Sequence, residues 1–322
     1  MARAQKWPTV LRWVRRILCT QAGFLPVSVA IIAFEIVLTS LIVRRVAYTE
    51  IDFATYVAQA KLFVDGERNY ARLDPVNGSG PCVYPAVHLY MYAPFTFMSK
   101  SDALWYGQRA FAVLYFVTLV LVLRLYAFAR VPPFYLLFLV LSKRLHSIYV
   151  LRMFNDPIAM VFVYLCMYAL CTKRWHLACT LYSVALGVKM NVLLYLPALC
   201  VILFRALGAV RTVACLVGIV GGLQAVLGAP FLVHNAPAYM AGAFDFSRAF
   251  LYKWTVNWRF LSASAFCASG TARVLLACHV AALCVFGLYR WTGIGKQGPA
   301  WIWARWRGDP VPMSAEGTYM HH

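Results

Sequence analysis

Charged residues are scarce in this sequence. They make up 13% of its 322 residues, whereas hydrophobic residues make up 62%, and the mean hydropathy is +0.69. Soluble domains carry about 25% charged and about 45–50% apolar residues. The polar surface is therefore too small to cover a water-exposed globule, which excludes the soluble class. Several apolar runs approach the roughly 20 residues that cross a bilayer, so the sequence predicts an all-α, multi-pass integral membrane protein.

Motifs that would hold a cofactor or a metal are also absent. There is no C-x-x-C pair, P-loop, dinucleotide fingerprint, catalytic-triad signature or zinc motif. We expect no cofactor and no metal site, and soluble nucleotide-sugar chemistry has no support. The ten cysteines lie mostly inside apolar runs, where cysteine acts as a small buried hydrophobe. Cys82 and Cys267 fall outside the runs, and a disulfide between them is the less favoured alternative.

Acidic residues are few, and the charge balance is strongly basic. Eleven acids stand against 30 lysines and arginines, which gives a net charge of +19. In a soluble protein this excess would suggest a nucleic-acid partner. Here the cations lie mostly in short connections between apolar runs, so lipid headgroups and topology explain most of them. We therefore expect membrane lipid as a partner and no nucleic acid.

The apolar runs divide the chain into three regions. Residues 1–25 form a basic segment expected in the cytosol, residues 26–290 form a transmembrane core, and residues 291–322 form a cytosolic tail. Two long connections, at about 44–105 and 234–270, are predicted on the far side of the membrane. The core contains about eight predicted spans, at residues 26–43, 110–128, 134–151, 157–171, 177–188, 192–204, 213–233 and 273–289.

This threading places every chemically unusual segment on the far side. These segments are also basic, which opposes the tendency of cations to stay in the cytosol. Taken singly, such cations are most simply rim residues that reach toward headgroups. As a group on one face they indicate an anionic ligand, because a phosphate accepts several charge-assisted bonds from lysine and arginine. The cations are Lys143, Arg144, Arg152, Lys189, Arg248, Lys253 and Arg259.

The candidates for a general base stand at the start of the first far-side segment. Glu50 and Asp52 follow the first span directly, and a carboxylate at the edge of a low-dielectric region can accept a proton near neutrality. Because they are two positions apart, only one of them faces a given site if the segment is helical. Ordinary solvation, or capping of the following helix, is the simpler explanation of both residues.

Three further segments combine polar groups with breaks between spans. In "FNDP", Asn155 or Asp156 can cap a helix, and the exposed N–H groups of a helix start favour an anion. In "VKMN", Lys189 and Asn191 stand where two short apolar runs meet. Interrupted helices often frame substrate sites, although a simple turn is the plainer explanation. The "GPCVYPAVHLY" segment with Tyr84 suits either a membrane interface or the floor of a sugar site.

Taken together, these segments resemble the dolichyl-phosphate-mannose-dependent α-1,3-mannosyltransferases of the endoplasmic reticulum. The resemblance covers about residues 48–260, and its most specific motifs are "LRMFNDP" and "KWTVNWRF". Members of that family continue further, so the tail from residue 291 is expected to lie outside the resemblance and to mark a shortened C-terminus. The matching segments, in the family's order, are "YTEIDFATYVAQ", "GPCVYPAVHLY", "SKRLHSIYVLRMFNDP", "VKMNVLL", "LGAPFL" and "FDFSRAFLYKWTVNWRF".

The resemblance implies a GT-C fold, a multi-pass location in the endoplasmic reticulum membrane, and far-side loops that are lumenal. It implies transfer of mannose in α-1,3 linkage, with inversion, from dolichyl phosphate mannose to the five-mannose dolichyl-diphosphate-linked oligosaccharide. No metal is implied. Asp52 is implied as the general base, with Glu50 in support. The residues implied near a phosphate are Arg144, His146 and Arg152, and those implied to line the site are Lys253, Trp254, Asn257 and Arg259.

Other functions remain open on the sequence. A related transferase could use the same donor to make an α-1,2 or α-1,6 bond. A truncated, non-catalytic membrane paralogue could bind the lipid or a partner enzyme. A transporter is a third alternative, and the lack of an internal repeat speaks weakly against it.

Overall fold

The structure is a computed structural model, and it describes residues 9–49, 52–76, 78–246, 251–255, 257–291 and 300–307. The chain divides into two compact units. The first unit comprises Met1–Val192 with Ile219–Phe244, and the second comprises Leu193–Gly218 with Asp245–His322.

The described residues are helical and contain no β-strand. Short 3₁₀ and π turns join or extend several helices, and the two that matter most below are the π turn Ser147–Leu151 and the 3₁₀ turn Met190–Tyr195. In chain order, the α-helices are α1 Thr9–Cys19, α2 Phe24–Arg45, α3 Asp52–Val64, α4 Ala86–Tyr92, α5 Lys100–Phe128, α6 Leu137–Val140, α7 Lys143–His146, α8 Asn155–Cys171, α9 Trp175–Val188, α10 Leu196–Leu207, α11 Ala209–Ala214, α12 Gly222–Ala243, α13 Ala263–Cys267, α14 Ser269–Val285 and α15 Ala300–Arg307.

Five helical stretches in the described part are long and apolar enough to cross a membrane, which confirms a helical membrane protein. A sixth candidate is the pair Pro133–Val140 and Lys143–Leu151, which is bent by 49°. Helices α8 and α9 are apolar but shorter. Seven of the eight predicted apolar runs each fall within one of these helical stretches, and the run 134–151 is divided between the two helices of the bent pair. The five long stretches are Gln21–Arg45, Lys100–Phe128, Met190–Leu207, Ala209–Ala243 and Ser269–Arg290.

The bend in the sixth candidate follows from its sequence. Lys143 and Arg144 interrupt the apolar run, and both are exposed at the start of α7. The chain then continues through the π turn Ser147–Leu151 to Met153, which has a φ of +49°. A non-glycine residue in this left-handed region costs roughly 1–3 kcal/mol and needs support from its surroundings. The Tyr92 hydroxyl supplies some of it by donating to the Met153 carbonyl at 2.9 Å.

In the first unit, α8 packs antiparallel beside α9 and also contacts α5. The connection between α8 and α9 spans only residues 172–174, so the start of α8 and the end of α9 lie at the same end of the pair. Helix α4 approaches α9 closely at Gly187, where an added Cβ atom would lie 2.4 Å from a Val87 methyl group. These contacts bring the segments around Tyr84, Asn155 and Lys189 to one place.

The two long connections predicted on the far side contain helices. Residues 44–105 include α3, α4 and the start of α5, while α12 extends into the second connection as far as Ala243. Cys82 is a buried free thiol in the first unit, and Cys267 is an exposed free thiol in the second. The less favoured disulfide between them is therefore not formed. Burial raises the pKa of the Cys82 thiol to about 11, so this thiol is unreactive near neutrality.

In the second unit, helix α10 ends at Gly208, whose φ of +83° is easily reached only by glycine. The Arg305 guanidinium on α15 donates to the carbonyls of Phe204 and Ala206 near that end. These bonds satisfy carbonyls that the last turn of a helix leaves open, and they hold α15 against α10.

Candidate functional site

Four aromatic rings form the floor of a polar cluster in the first unit. The ring of His88 lies 4.5 Å from that of Tyr84, 4.8 Å from that of Tyr56 and 5.0 Å from that of Tyr92, measured between centroids. The hydroxyls of Tyr56 and Tyr84 are 3.3 Å apart. Tyr56, His88 and Tyr92 are buried, whereas Tyr84 is half-buried. Tyr84 thus offers the group's accessible aromatic surface.

A chain of polar side chains crosses this floor. Lys189 Nζ lies 2.7 and 2.8 Å from the two carboxylate oxygens of Asp156 and donates to Asn155 Oδ1 at 3.2 Å. The Asn155 amide nitrogen lies 3.3 Å from His88 Nδ1. The Lys189 ammonium also lies 5.7 Å from the centroid of the Tyr84 ring, within reach of a cation–π attraction. Asp156, Asn155, Lys189 and His88 therefore form one connected network.

The helix ends explain why these residues meet. Asn155 and Asp156 open α8, and Pro157 occupies its first turn, where its missing N–H costs nothing. Lys189 follows the last residue of α9 in an extended conformation. Because α8 and α9 are antiparallel neighbours, the start of one lies beside the end of the other. The sequence predicts an interruption at the start of α8 and another at the end of α9, but it does not predict the contact of Lys189 with Asp156 and Asn155.

His88 is neutral in this environment. Burial, and then the nearby charge of Lys189, lower the pKa of His88 to about 3. Since Asn155 donates to Nδ1, the ring proton resides on Nε2. His88 is fully buried, and its Nε2 has no hydrogen-bond partner in the described part of the chain. The imidazole therefore accepts from Asn155 and orients its amide, which in turn accepts from Lys189.

Asp52 opens α3, and its charge acts on two rings of the same group. Burial is the largest cause that raises the pKa of Tyr92; Tyr84 comes next, and the charges of Asp156 and Asp52 follow. Asp52 also contributes to the raised pKa of Tyr56, after burial, Tyr84 and Tyr92. The segment before α3 is tied to the π turn, because the Thr49 N–H donates to the Leu151 carbonyl at 3.2 Å. The structure thus brings Asp52, Tyr84, Asn155, Asp156 and Lys189 together.

The remaining candidates of the first unit have different settings. Arg144 is exposed on α7, and Asn191 is exposed in the 3₁₀ turn after Lys189. The Arg152 guanidinium lies 5.7 Å from the ring of Phe154, just before α8. His146 is buried, and its Nε2 lies 2.6 Å from a carboxylate oxygen of Glu35. Glu50 lies outside the described residues.

The candidates of the second unit lie in the segment Leu251–Leu261. Lys253, Asn257 and Arg259 are exposed there, and the Trp254 side chain lies outside the described part. Arg259 donates to the carbonyls of Thr255 and Lys253, each at 2.8 Å, and lies 5.3 Å from the Tyr252 ring. Arg259 therefore holds this segment's backbone together.

Sequence reasoning missed four members of these networks: Glu35, Tyr56, His88 and Tyr92. A signal existed for three of them. Asp52 and Tyr56 are four positions apart, as are Tyr84, His88 and Tyr92 in succession, and this spacing places side chains on one face of a helix. These four-residue spacings would have indicated the polar aromatic rings that form the floor of the cluster. In the described part of the chain, no group of three or more His, Cys, Asp or Glu side chains is placed to hold a metal ion.

Fold and site together define a multi-pass helical membrane protein with a buried network of polar and aromatic groups at the ends of its helices. A family described as ALG3 protein matches residues 29–308. The chain belongs to this family. The match extends beyond the resemblance seen in the sequence, which ended near residue 260, and includes part of the tail that had no counterpart.

Curated relatives have the same kind of name. One from Neurospora crassa, called Dol-P-Man:Man(5)GlcNAc(2)-PP-Dol alpha-1,3-mannosyltransferase, is 42% identical over 81% of this chain and 59% of its own length. Identically named proteins from Cryptococcus neoformans and Homo sapiens are each 40% identical, over 94% and 88% of this chain and 71% and 65% of their own lengths. The chain thus spans about three fifths to seven tenths of these relatives. No solved structure matches the chain.

Proposed function

We propose that this chain transfers a mannosyl residue in α-1,3 linkage from dolichyl phosphate mannose to the five-mannose dolichyl-diphosphate-linked oligosaccharide. The observation that carries the proposal is membership of the ALG3 family over residues 29–308, together with the names of its relatives. The polar network of the first unit supports it, because acids, cations and an accessible aromatic ring are the groups that a phosphate-linked sugar requires.

In the proposed reaction, Asp52 accepts the proton of the acceptor hydroxyl while that oxygen bonds to the anomeric carbon of mannose. The bond from that carbon to the phosphate oxygen breaks in the same displacement, and dolichyl phosphate leaves with the electron pair. This single step inverts the configuration, so a β-linked donor gives an α-linked product. Asp52 suits the role because it stands at the start of α3 and its charge acts on the buried ring of Tyr92. Glu50 would support it from two residues away.

The leaving phosphate also needs cationic partners. Lys189 is held by Asp156 and Asn155, so its role is to orient these two side chains and, with Asn191, the sugar. Arg144 and Arg152 flank the π turn of the first unit and are the proposed phosphate ligands there. Lys253, Trp254, Asn257 and Arg259 are proposed to line the substrate path in the second unit. Cations near the leaving oxygen stabilise the charge that develops in the transition state.

The proposed sugar platform is the half-buried ring of Tyr84. Its neighbour His88 is neutral and buried, so it holds the ring in place without adding charge.

We place the enzyme in the endoplasmic reticulum membrane, with about eight spans and a GT-C fold, in contact with membrane lipid. The sixth to eighth spans would be the bent pair, α8 and α9. No cofactor and no nucleic acid enter the proposed reaction.

Two alternatives lead to different products. A transferase of another specificity would use the same donor to form an α-1,2 or α-1,6 bond. A non-catalytic paralogue would bind the lipid without transfer.

Complementation of a cell that accumulates the five-mannose lipid-linked precursor tests the proposal. The chain should restore a six-mannose product. Asp52→Asn should abolish this, since loss of a general base costs about 10²–10⁴-fold in rate. Asp65→Asn is the matched control, because Asp65 lies just after the same helix and pairs with Lys61 on the exposed surface. If Asp52→Asn complements as well as Asp65→Asn, the catalytic assignment is wrong.

A further inference from the structure

Glu35 is a carboxylate buried inside a candidate membrane span. It lies near the middle of Gln21–Arg45 and is fully buried. One oxygen, Oε2, accepts from the Tyr115 hydroxyl at 2.9 Å and lies 2.6 Å from His146 Nε2. The other oxygen, Oε1, has no hydrogen-bond partner within the described residues. An ionisable group at this depth is costly and calls for a functional explanation.

The partner of Glu35 lies in Lys143–Leu151, the second half of the bent pair. His146 is the last residue of α7 and is followed directly by the π turn Ser147–Leu151. The ring of Tyr115 packs 5.3 Å from His146 and 5.3 Å from Tyr149. Tyr115 therefore joins the pair to the π turn.

The π turn is connected to the polar network of the first unit at two further points. The Thr49 N–H donates to the Leu151 carbonyl at 3.2 Å, and Thr49 lies three residues before Asp52, the first residue of α3. The Tyr92 hydroxyl bonds the carbonyl of Met153, whose left-handed conformation directs the chain into α8. A displacement of the π turn would therefore move both the base and the start of α8.

We propose that Glu35 is a positioning residue: its bond to His146 fixes the segment Lys143–Leu151, so that Asp52, Arg152 and the start of α8 hold their places during transfer. The effect of Glu35 on transfer rests on the proposed function, whereas its effect on the position of the π turn does not. In this assignment His146 contacts Glu35 rather than a phosphate. The pair acts on the rate of transfer, because misplaced cations and a misplaced base lose interactions made in the transition state.

The test compares four purified proteins with the parent chain: Glu35→Gln, His146→Gln, the double variant, and Thr39→Val. Thr39 is the matched control, because it is buried one turn further along α2 and its hydroxyl has no described hydrogen-bond partner. kcat and the KM for dolichyl phosphate mannose are measured per folded molecule. We expect each single variant to lose at least tenfold in kcat with KM changed less than threefold. The double variant should be no slower than the slower single one, and Thr39→Val should match the parent.

A second readout does not depend on transfer. A Thr49→Cys/Leu151→Cys protein is treated with a short thiol cross-linker, with and without Glu35→Gln. The two proteins that carry only one of these introduced cysteines give the background from the ten native cysteines. Glu35→Gln should lower the cross-linked fraction at least threefold, whereas Thr39→Val should not. The proposal is overturned if kcat per folded molecule stays within twofold of the parent, if the single effects multiply in the double variant, or if cross-linking is unchanged. A parent chain that cross-links as expected but transfers no mannose would instead contradict the proposed function.

Discussion

Lys189 Nζ donates to both carboxylate oxygens of Asp156, at 2.7 and 2.8 Å, and so joins the end of α9 to the start of the antiparallel helix α8. The same ammonium donates to Asn155, so its three protons are all engaged. A cation used in this way organises its neighbours and is not available to a substrate phosphate. The network therefore serves to orient the side chains of Asp156 and Asn155. Its loss should lower the rate of transfer more than the free energy of unfolding.

The first prediction concerns this pair. Lys189→Gln and Asp156→Asn should each lower mannosyl transfer about tenfold, and the double variant should lose less than the product of the two, because coupled neighbours show interaction energies of about 0.5–3 kcal/mol. The free energy of unfolding should fall by only about 1 kcal/mol, since the side chains are 22% and 37% exposed. Activity and thermal unfolding of the four proteins measure both effects.

The exposed pair of Lys61 and Asp65 provides the control cycle. Its members are more than half exposed and four residues apart. Lys61→Gln and Asp65→Asn should each leave transfer unchanged, and their effects on the free energy of unfolding should simply add in the double variant. Equal loss of transfer in the two cycles would show that Lys189 and Asp156 have no special role.

The second prediction concerns pH. The pKa of His88 is about 3 in the folded chain because of burial and Lys189, whereas an unfolded histidine titrates near about 6.5. Between these values the unfolded chain binds more protons, so stability is full above about pH 6.5 and falls by up to about 1.4 kcal/mol per pH unit as the pH drops toward 3. His88→Gln should weaken this dependence. Unfolding temperatures at pH 4.5 and 6.5 for the parent and variant give the comparison. Equal slopes in both proteins would contradict the prediction.

The third prediction concerns the contact between α4 and α9. Gly187→Ala would place a methyl group 2.4 Å from a Val87 methyl carbon, and overpacking of this kind costs about 1–3 kcal/mol. Since α4 also carries His88, transfer should fall along with stability. Gly218→Ala is the control, because an added Cβ there meets nothing within 4 Å. Thermal unfolding should separate the two variants, and equal unfolding temperatures would rule out the close approach.

The fourth prediction concerns the second unit. Arg259→Lys keeps the charge but cannot hold the carbonyls of Thr255 and Lys253 together, because lysine lacks the planar fork of arginine. We expect faster proteolysis within residues 251–261 and about a tenfold loss of transfer. Arg273→Lys on the exposed surface of α14 should change neither. Unaltered proteolysis in Arg259→Lys would show that these bonds do not order the segment.

The sequence predicts helices well here because hydropathy, charges and proline all act locally. Lys143 and Arg144 predict the interruption that becomes the 49° bend. Pro157 predicts a helix start near it, but the predicted cap was wrong: α8 already begins at Asn155, its N-cap residue is Phe154, and no side chain caps it. The predicted boundaries were less accurate. The second predicted span begins at residue 110, whereas α5 begins at Lys100, because Ser99 caps the helix by accepting from the Asp102 N–H.

The site was only partly predictable. Lys189 and Asp156 stand at breaks between apolar runs, so the sequence singles them out. His88 and Glu35 do not, because their partners lie 67 and 111 residues away, and no local pattern encodes such contacts. His146 shows the same limit. The family resemblance implies a position near phosphate, while the structure pairs its ring with a buried carboxylate.

The central claim is that this chain forms an α-1,3-mannosyl bond, and the most direct test is transfer by the purified protein in lipid. Dolichyl phosphate mannose and the five-mannose dolichyl-diphosphate-linked oligosaccharide are supplied together, and the product's linkage is determined by methylation analysis. We expect a single added mannose in α-1,3 linkage, which Asp52→Asn does not form. An α-1,2 or α-1,6 bond, or no transfer by the folded parent chain, would contradict the account.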